Sequence, residues 1–308
     1  MKTSLNILVA TDYSDAVMNA EHYAVQLAKA YGFSIRFLHV FEPPAANQTG
    51  SFDAEKIDYM PGALELDRLK EHVAKLLYSM NIQPGEVKQE CVVREGGVAH
   101  QIASEVKESS PHLIIMGTHG SSGFREFIMG TQTWKVIKAG GVPVLALPKD
   151  AFFSGIKNIV YATEYREGEL PVINYLVSLA KIFDADITVL HITSNLFSED
   201  FEKKMTRDFM KEVKSKVDYP RLQLKVHHAD DIIDGLDVFA ARNKTDLLVM
   251  SHERPYFIER LFSPNNGITR KMSVRTKTPL LVVPDYYNPD FEWFWRLFAR
   301  DYSLDTDF

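Results

Sequence analysis

Cysteine is almost absent from this sequence, with Cys91 standing alone in 308 residues. One thiol excludes an intramolecular disulfide and any multi-cysteine metal centre, and it fits a reducing compartment. Cys91 itself is expected to act as a small buried apolar residue in a strand. Long apolar runs are missing too. No stretch approaches 18 consecutive apolar residues, so no transmembrane helix is expected. The LNILVA run that follows Lys2 is cut short by Asp12, too early for a signal peptide. Both features point to a cytoplasmic protein without a membrane partner. Positive charge is not in excess: the formal net charge is −6, so the electrostatic footprint of nucleic-acid binding is not expected. Also lacking are a G-x4-G-K-[ST] loop, an H-E-x-x-H helix and a nucleophile elbow.

Glycine is scarce as well, at 16 residues, yet four of them fall in the stretch GTHGSSGFREFIMGT from Gly117 to Thr131. Glycine is costly in conformational entropy and is kept where a backbone turns at positive φ or must admit a close neighbour. The choice between a turn and a ligand loop depends on the surrounding organisation.

That organisation is a repeat. LNILVATDYS near the start returns as IKNIVYATEYR, and a constant offset of 152 sets Ala10-Thr11-Asp12 against Ala162-Thr163-Glu164. The same offset takes Leu27-Ala28-Lys29 to Leu179-Ala180-Lys181 and Leu38-His39-Val40 to Leu190-His191-Ile192. Further on, LIIMG aligns with LLVMS and VPVLALP with TPLLVVP, Met116 matching Met250 and Pro148 matching Pro284. One domain therefore occurs twice, joined near Lys149 to Gly155. The expected division is residues 1–150, residues 151–284 and an aromatic tail over 285–308.

Within a copy, short apolar runs alternate with amphipathic segments. Asn6 to Ala10 reads as a strand. Ser14 is placed to cap a helix with apolar positions Val17, Ala20, Ala24, Leu27 and Ala28, and Gly32 stops it. IRFLHV is a second strand. After a long polar connection, PPAANQTGSFDAEKIDYMPG, comes a helix with Leu66, Leu69, Val73, Leu76 and Met80 on one face. VKQECVV, HLIIM and PVLAL supply further strands, with helices between them. The fold class is α/β, two tandem doubly wound domains of five parallel strands each, Rossmann-like. Such sheets hold ligands at the carboxyl ends of their strands. Asp12 leaves the end of the first strand and Gly117 the end of the fourth. Free N–H groups and a helix N-terminus suit phosphate, and a carboxylate suits ribose hydroxyls, so the pair reads as a nucleotide site.

The spacing Gly117-x2-Gly120-x9-Gly130-Thr131 matches the G-x2-G-x9-G-[ST] pattern of the ATP-binding universal stress proteins, which the sequence resembles over nearly its whole length as two copies. ATD after the first strand, LHV at the second, MGTHG at the fourth and a closing PVL strand resemble the same UspA-like family. The resemblance implies an adenine nucleotide alpha hydrolase-like fold with an adenine pocket around Asp12, the backbone of Val40 and Met116. It implies phosphates held by Gly117, Gly120, Gly130, Thr131 and Thr133. The expected cofactor is ATP, or AMP or ADP, with Mg²⁺ a conceivable companion. No general base is evident, so the expected role is a stress-response or signalling module that changes conformation or protein partner with its nucleotide. A slow ATP hydrolase or adenylyl-group enzyme, and a nucleotide-free interaction protein, are the alternatives.

The second copy departs from the pattern. Ser251 and Arg254 replace Gly117 and Gly120, and Glu164 replaces Asp12; Gly267 is the one possible relic of the loop. This copy is expected to be degenerate, giving one nucleotide per chain. His227 and His228 with Asp230 and Asp231 do not read as a metal site, because adjacent strand residues face opposite ways. His39 and His191 are expected to be hydrogen-bonded core histidines, while His119 is expected to face solvent and Arg125 to lie on a solvated helix face, with phosphate contact the alternative for both. The closing strands Val144 to Leu147 and Leu280 to Val283 are apolar sheet edges, and the resemblance to a family whose single-domain members are joined through this strand implies that the two copies pair there as an internal pseudo-dimer, with a homodimer a further expectation. Phe291, Phe294, Trp295 and Phe298 in the tail suggest a docked helix.

Overall fold

A computed structural model describes residues 5–42, 61–118, 131–139, 141–165, 169–193, 199–251 and 278–284. In the first half it contains β1 (Asn6–Thr11), α1 (Asp15–Tyr31), β2 (Ser34–Phe41), α2 (Pro61–Ser79), β3 (Lys88–Glu95), α3 (Val98–Ser109), β4 (Leu113–Gly117), α4 (Thr131–Ala139) and β5 (Val144–Leu147). The second half contains β6 (Asn158–Thr163), α5 (Glu169–Phe183), β7 (Asp186–Thr193), α6 (Glu199–Lys216), β8 (Leu222–His228), α7 (Ile232–Arg242), β9 (Leu247–Ser251) and β10 (Leu280–Val283). Gly120, Gly130, His119, Arg125, Arg254, Gly267 and the aromatic tail lie outside the described residues.

Apolar periodicity builds α1 as expected: Val17, Ala20, Ala24, Leu27 and Ala28 are all buried. Gly32 ends the helix in left-handed backbone at φ +75°, its N–H donating to the Ala28 carbonyl, which is the conformation glycine adopts without a Cβ penalty. The start of α1 differs from expectation. Ser14 occupies the cap position but its hydroxyl bonds no helix N–H. The Asp12 carboxylate takes the Ser14 N–H at 3.0 Å instead, so a turn made by Asp12 organises the helix entry. α2 also begins earlier than the sequence pattern suggests. Pro61 and Gly62, expected in the connection, form its first turn, because proline at the first helical position loses an N–H that has no partner there anyway. Leu69, Val73 and Leu76 are buried on its inner face, and Met80 falls just past its end.

The strands form one ten-stranded sheet in the order β3-β2-β1-β4-β5-β10-β9-β6-β7-β8. Each half is a parallel run with the doubly wound order, the second a mirrored repeat of the first. The halves meet where β5 and β10 pair antiparallel, with Leu280 opposite Ala146, Leu281 opposite Leu145 and Val282 opposite Val144. The two closing strands expected to pair do so, and each covers the edge of the other. Residues 36 and 39 of β2 alternate to opposite faces. Arg36 meets Glu105 of α3 and His39 meets Glu65 of α2, so α2 and α3 cover opposite sides of the sheet.

The join between the copies is packed. Ala151 and Ile156 are buried, and Asn19 of α1 donates to the carbonyls of Pro148 at 3.0 Å and Ala151 at 2.7 Å. Tyr31 of α1 lies 4.8 Å from Phe183 of α5, ring centre to ring centre. Cys91 corrects one expectation: it lies on β3, at the sheet's edge, and is half-buried. Partial burial pushes its thiol pKa up.

Candidate functional site

The crevice arises from the register. β1 and β4 pair at Ile7↔Leu113, Leu8↔Ile114 and Val9↔Ile115, then separate. β1 remains on β2 as far as Thr11↔His39, while β4 remains on β5 as far as Gly117↔Leu147. The carboxyl ends therefore splay at the point where the strand order reverses, the place at which parallel sheets receive ligands.

Asp12 is exposed at one lip. Its carboxylate is within the Asx turn described above and keeps a second oxygen for other donors. Val40 follows the last β1–β2 pair, so no residue of β1 stands opposite it, although β2 continues on β3 to Phe41↔Glu95. Met116 is buried on the opposite lip. Gly117 ends β4 in strand geometry, so what it contributes is the lack of a side chain, not a left-handed turn. Thr131 opens α4 and is exposed, whereas Thr133 is buried and its hydroxyl donates to the Gly117 carbonyl at 2.9 Å. That bond fixes the start of α4 against the end of β4.

A polar cluster beside this crevice had no sequence signal strong enough to name it. Tyr13, immediately after Asp12, adopts left-handed backbone at φ 62°, a strained conformation for a bulky residue. Its ring lies 4.4 Å from that of His39 and 5.1 Å from that of His72. The Arg68 guanidinium sits 5.0 Å from its centre. His39 Nδ1 is 2.9 Å from the Thr11 carbonyl, which only accepts, so Nδ1 carries the proton. His39 Nε2 then faces Glu65 Oε2 at 3.7 Å. Glu21, 1% exposed, receives His72 Nε2 at 2.8 and 3.0 Å. Burial, and then the nearby Glu65 charge, push the Tyr13 phenol up to about 12. The available signal was its recurrence, since Tyr165 stands 152 residues later with φ 61°.

The second half reproduces the frame and changes the contents. β6 and β9 pair only from Ile159↔Leu247 to Tyr161↔Val249 and then part in the same way. His191 Nδ1 meets the Thr163 carbonyl at 3.0 Å, so both core histidines are bonded as expected. Here, however, Glu169 is buried and bonds the Thr163 hydroxyl, while its other oxygen accepts from the Glu164 N–H at 3.2 Å. Val17 holds the matching position in the first half and offers no acceptor. Tyr165 Oη accepts from the Thr206 hydroxyl at 3.2 Å. Ser251, in place of Gly117, is buried at the end of β9. His227 packs edge-on to Phe239 at 5.9 Å and His228 is exposed, so the two face apart.

The universal stress protein family profile matches residues 4–148. Universal stress protein YxiE of Bacillus subtilis is 32% identical over 145 residues, which are 45% of this chain and 95% of that protein. A universal stress protein of Methanocaldococcus jannaschii is 28% identical over 147 residues, covering 46% of this chain and 81% of its own. The chain belongs to the universal stress protein family. The crystal structure of a universal stress protein from Archaeoglobus fulgidus superposes with a TM-score of 0.63, covering 92% of this chain and 99% of its own at 17% identity. That likeness extends the family's fold over both halves. Among the described residues no helix is long and apolar enough to cross a membrane.

Proposed function

We propose that the protein is an ATP-binding universal stress protein whose first half, residues 1–150, holds one adenine nucleotide. Residues 151–284 form a second copy that binds none, and residues 285–308 form an appended tail. The observation that carries this reading is the splayed β1–β4 crevice, with Asp12 and Gly117 on its two lips and the glycine spacing leading out of one of them. The base lies against Asp12, Val40 and Met116. The phosphates lie along Gly117, Gly120, Gly130, Thr131 and Thr133, where bare backbone and the start of α4 supply N–H donors. The closed polar contacts of Glu169 support the reading that the second half is structural.

Binding acts by shifting the chain between conformations or partners, to the extent that ATP favours one state over the other. Mass spectrometry of the purified chain tests the reading, with carried-over ATP, ADP or AMP expected. Absence of carried-over nucleotide, together with no binding by nucleotide-free protein, rejects it in favour of an interaction protein. Phosphate or pyrophosphate release in a single turnover moves the role to a slow hydrolase or adenylyl-group enzyme.

A further inference from the structure

At the end of the first half's sheet opposite the crevice, Asn6, Ser34 and Lys88 stand side by side near the starts of β1, β2 and β3. Residues paired in this way point their side chains to one face. Arg36 and Glu90 make the next row on that face. With Ser109 from the end of α3, these residues line a cavity of about 270 Å³, just under the range that encloses drug-sized ligands. The polar groups of the cavity are unequally answered. Arg36 donates to Glu90 at 2.7 Å and to Glu105 at 2.5 Å. Ser34 Oγ donates to Asn6 Oδ1 at 2.5 Å, which leaves the Asn6 amide N–H groups without an acceptor among the described residues. Lys88 has no carboxylate within ion-pair distance among the described residues.

The second half supplies the missing acids from its own chain. The offset of 152 sets Asn6 against Asn158 and Ser34 against Asp186. Strand register then sets Lys88 against Arg221, the residue before Leu222 of β8. The Asp186 carboxylate lies 3.5 Å from Arg221 Nε, and Asn158 Nδ2 donates to Asp246 at 3.3 Å. Asp246 in turn matches His112, since each donates its N–H to the carbonyl of the matching asparagine. Cation and amide each have an acid in the second half. In the first half Ser34 and His112 stand in the places of those two acids, and the cavity opens beside the unanswered donors.

We propose that the amino ends of β1, β2 and β3 form a binding site for the carboxylate of a small organic acid, with Lys88 as its counter-charge and the Asn6 amide as a second donor. The bound carboxylate takes the place that Asp186 holds in the second half, where the same row of the sheet is already occupied by an acid. Glu90 lines the cavity too, but its charge is answered by Arg36, so the two cations of the lining outnumber its one carboxylate. The size of the cavity limits the ligand to a few heavy atoms, which distinguishes it from a nucleotide. This site lies at the other end of the strands from the crevice and does not rest on the nucleotide reading.

An NMR titration of the full-length chain with succinate, followed at the backbone amides of Asn6, Ser34 and Lys88, tests the site. Saturable shifts at these amides are expected, with a dissociation constant of about 1 mM. Lys88→Ala should weaken binding at least about tenfold, while Lys88→Arg, which keeps the charge, should retain it. Ser34→Asp copies the second half by placing the chain's own acid in the row, and should abolish succinate binding. Thermal unfolding verifies that the three variants remain folded. No saturable shift at these amides overturns the proposal, as does binding that survives Ser34→Asp. Inorganic phosphate that binds there as tightly as succinate overturns the assignment to carboxylates.

Discussion

Glu105 is a buried charge held by two arginines. Its carboxylate is 0% exposed and lies between Arg36 and Arg94, at 2.5 Å and 2.8 Å. Burial acts to raise its pKa, but the hydrogen bonds from the two guanidinium groups outweigh it and the net shift is downward. A carboxyl whose folded pKa lies below its unfolded value of about 4.3 stabilises the fold above that pH. This contribution is lost as pH falls through the folded pKa. Glu105→Gln removes the buried charge that both guanidinium groups share, leaving Arg36 with Glu90 and Arg94 with Glu108, and should cost about 3 kcal/mol at pH 7, measured by urea unfolding. The difference from wild type should shrink below about pH 4. On the function proposed above, Asp12→Ala acts on the ligand instead: it should weaken ATP binding by about tenfold, removing one set of contacts while the proposed phosphate loop remains. Calorimetry checks it, and loss of all binding would assign Asp12 a larger role. At this scale His39 was legible, since a histidine inside an apolar strand needs a bonded partner. Glu105 was not, because its two arginines lie 69 and 11 residues away and only the fold brings them together. Tyr13 escaped notice because left-handed backbone is not written into a tyrosine.

The helices and strands of the first half followed from apolar spacing wherever the spacing was long. α1 shows 17 residues of it. The boundary errors have local causes: Pro61-Gly62 reads as a loop by composition yet suits a helix's first turn, and Ser14 sits at the cap position without a side-chain bond to the helix while Asp12 makes the preceding turn. The two halves also diverge within equivalent elements. Where α3 meets β3 through Glu105 and Arg94, α7 meets β8 through Phe239, with His227 and Lys225 against its ring. The β5–β10 seam is apolar throughout and joins the sheets of the two halves, beside the Tyr31–Phe183 ring contact. Leu281, 2% exposed opposite Leu145, should lose about 2–5 kcal/mol on change to Ala. Unfolding followed by a probe in each half checks this. If the seam couples the halves, both transitions move together; a shift confined to the second half contradicts that coupling.

For the molecule as a whole, the repeat gives two frames of the same strand order, and sequence differences leave them chemically unequal. The repeat, the sheet type and the pairing of the closing strands were readable because they depend on apolar pattern. The loop from Gly120 to Gly130 was readable as a motif only, and the polar contacts of Glu169 at the end of β6 were not readable, since Glu169 substitutes for Val17 with no motif attached. The account requires one ATP per chain, held by the first half. ATP at about 100 times its dissociation constant should stabilise the chain by roughly 2.7 kcal/mol, and Gly130→Trp should abolish that gain by filling the phosphate loop. Calorimetric titration of nucleotide-free, full-length protein with ATP is the most direct test. The account predicts one site in the wild-type chain and none in Gly130→Trp; two equivalent sites, or undiminished binding by the variant, would contradict it.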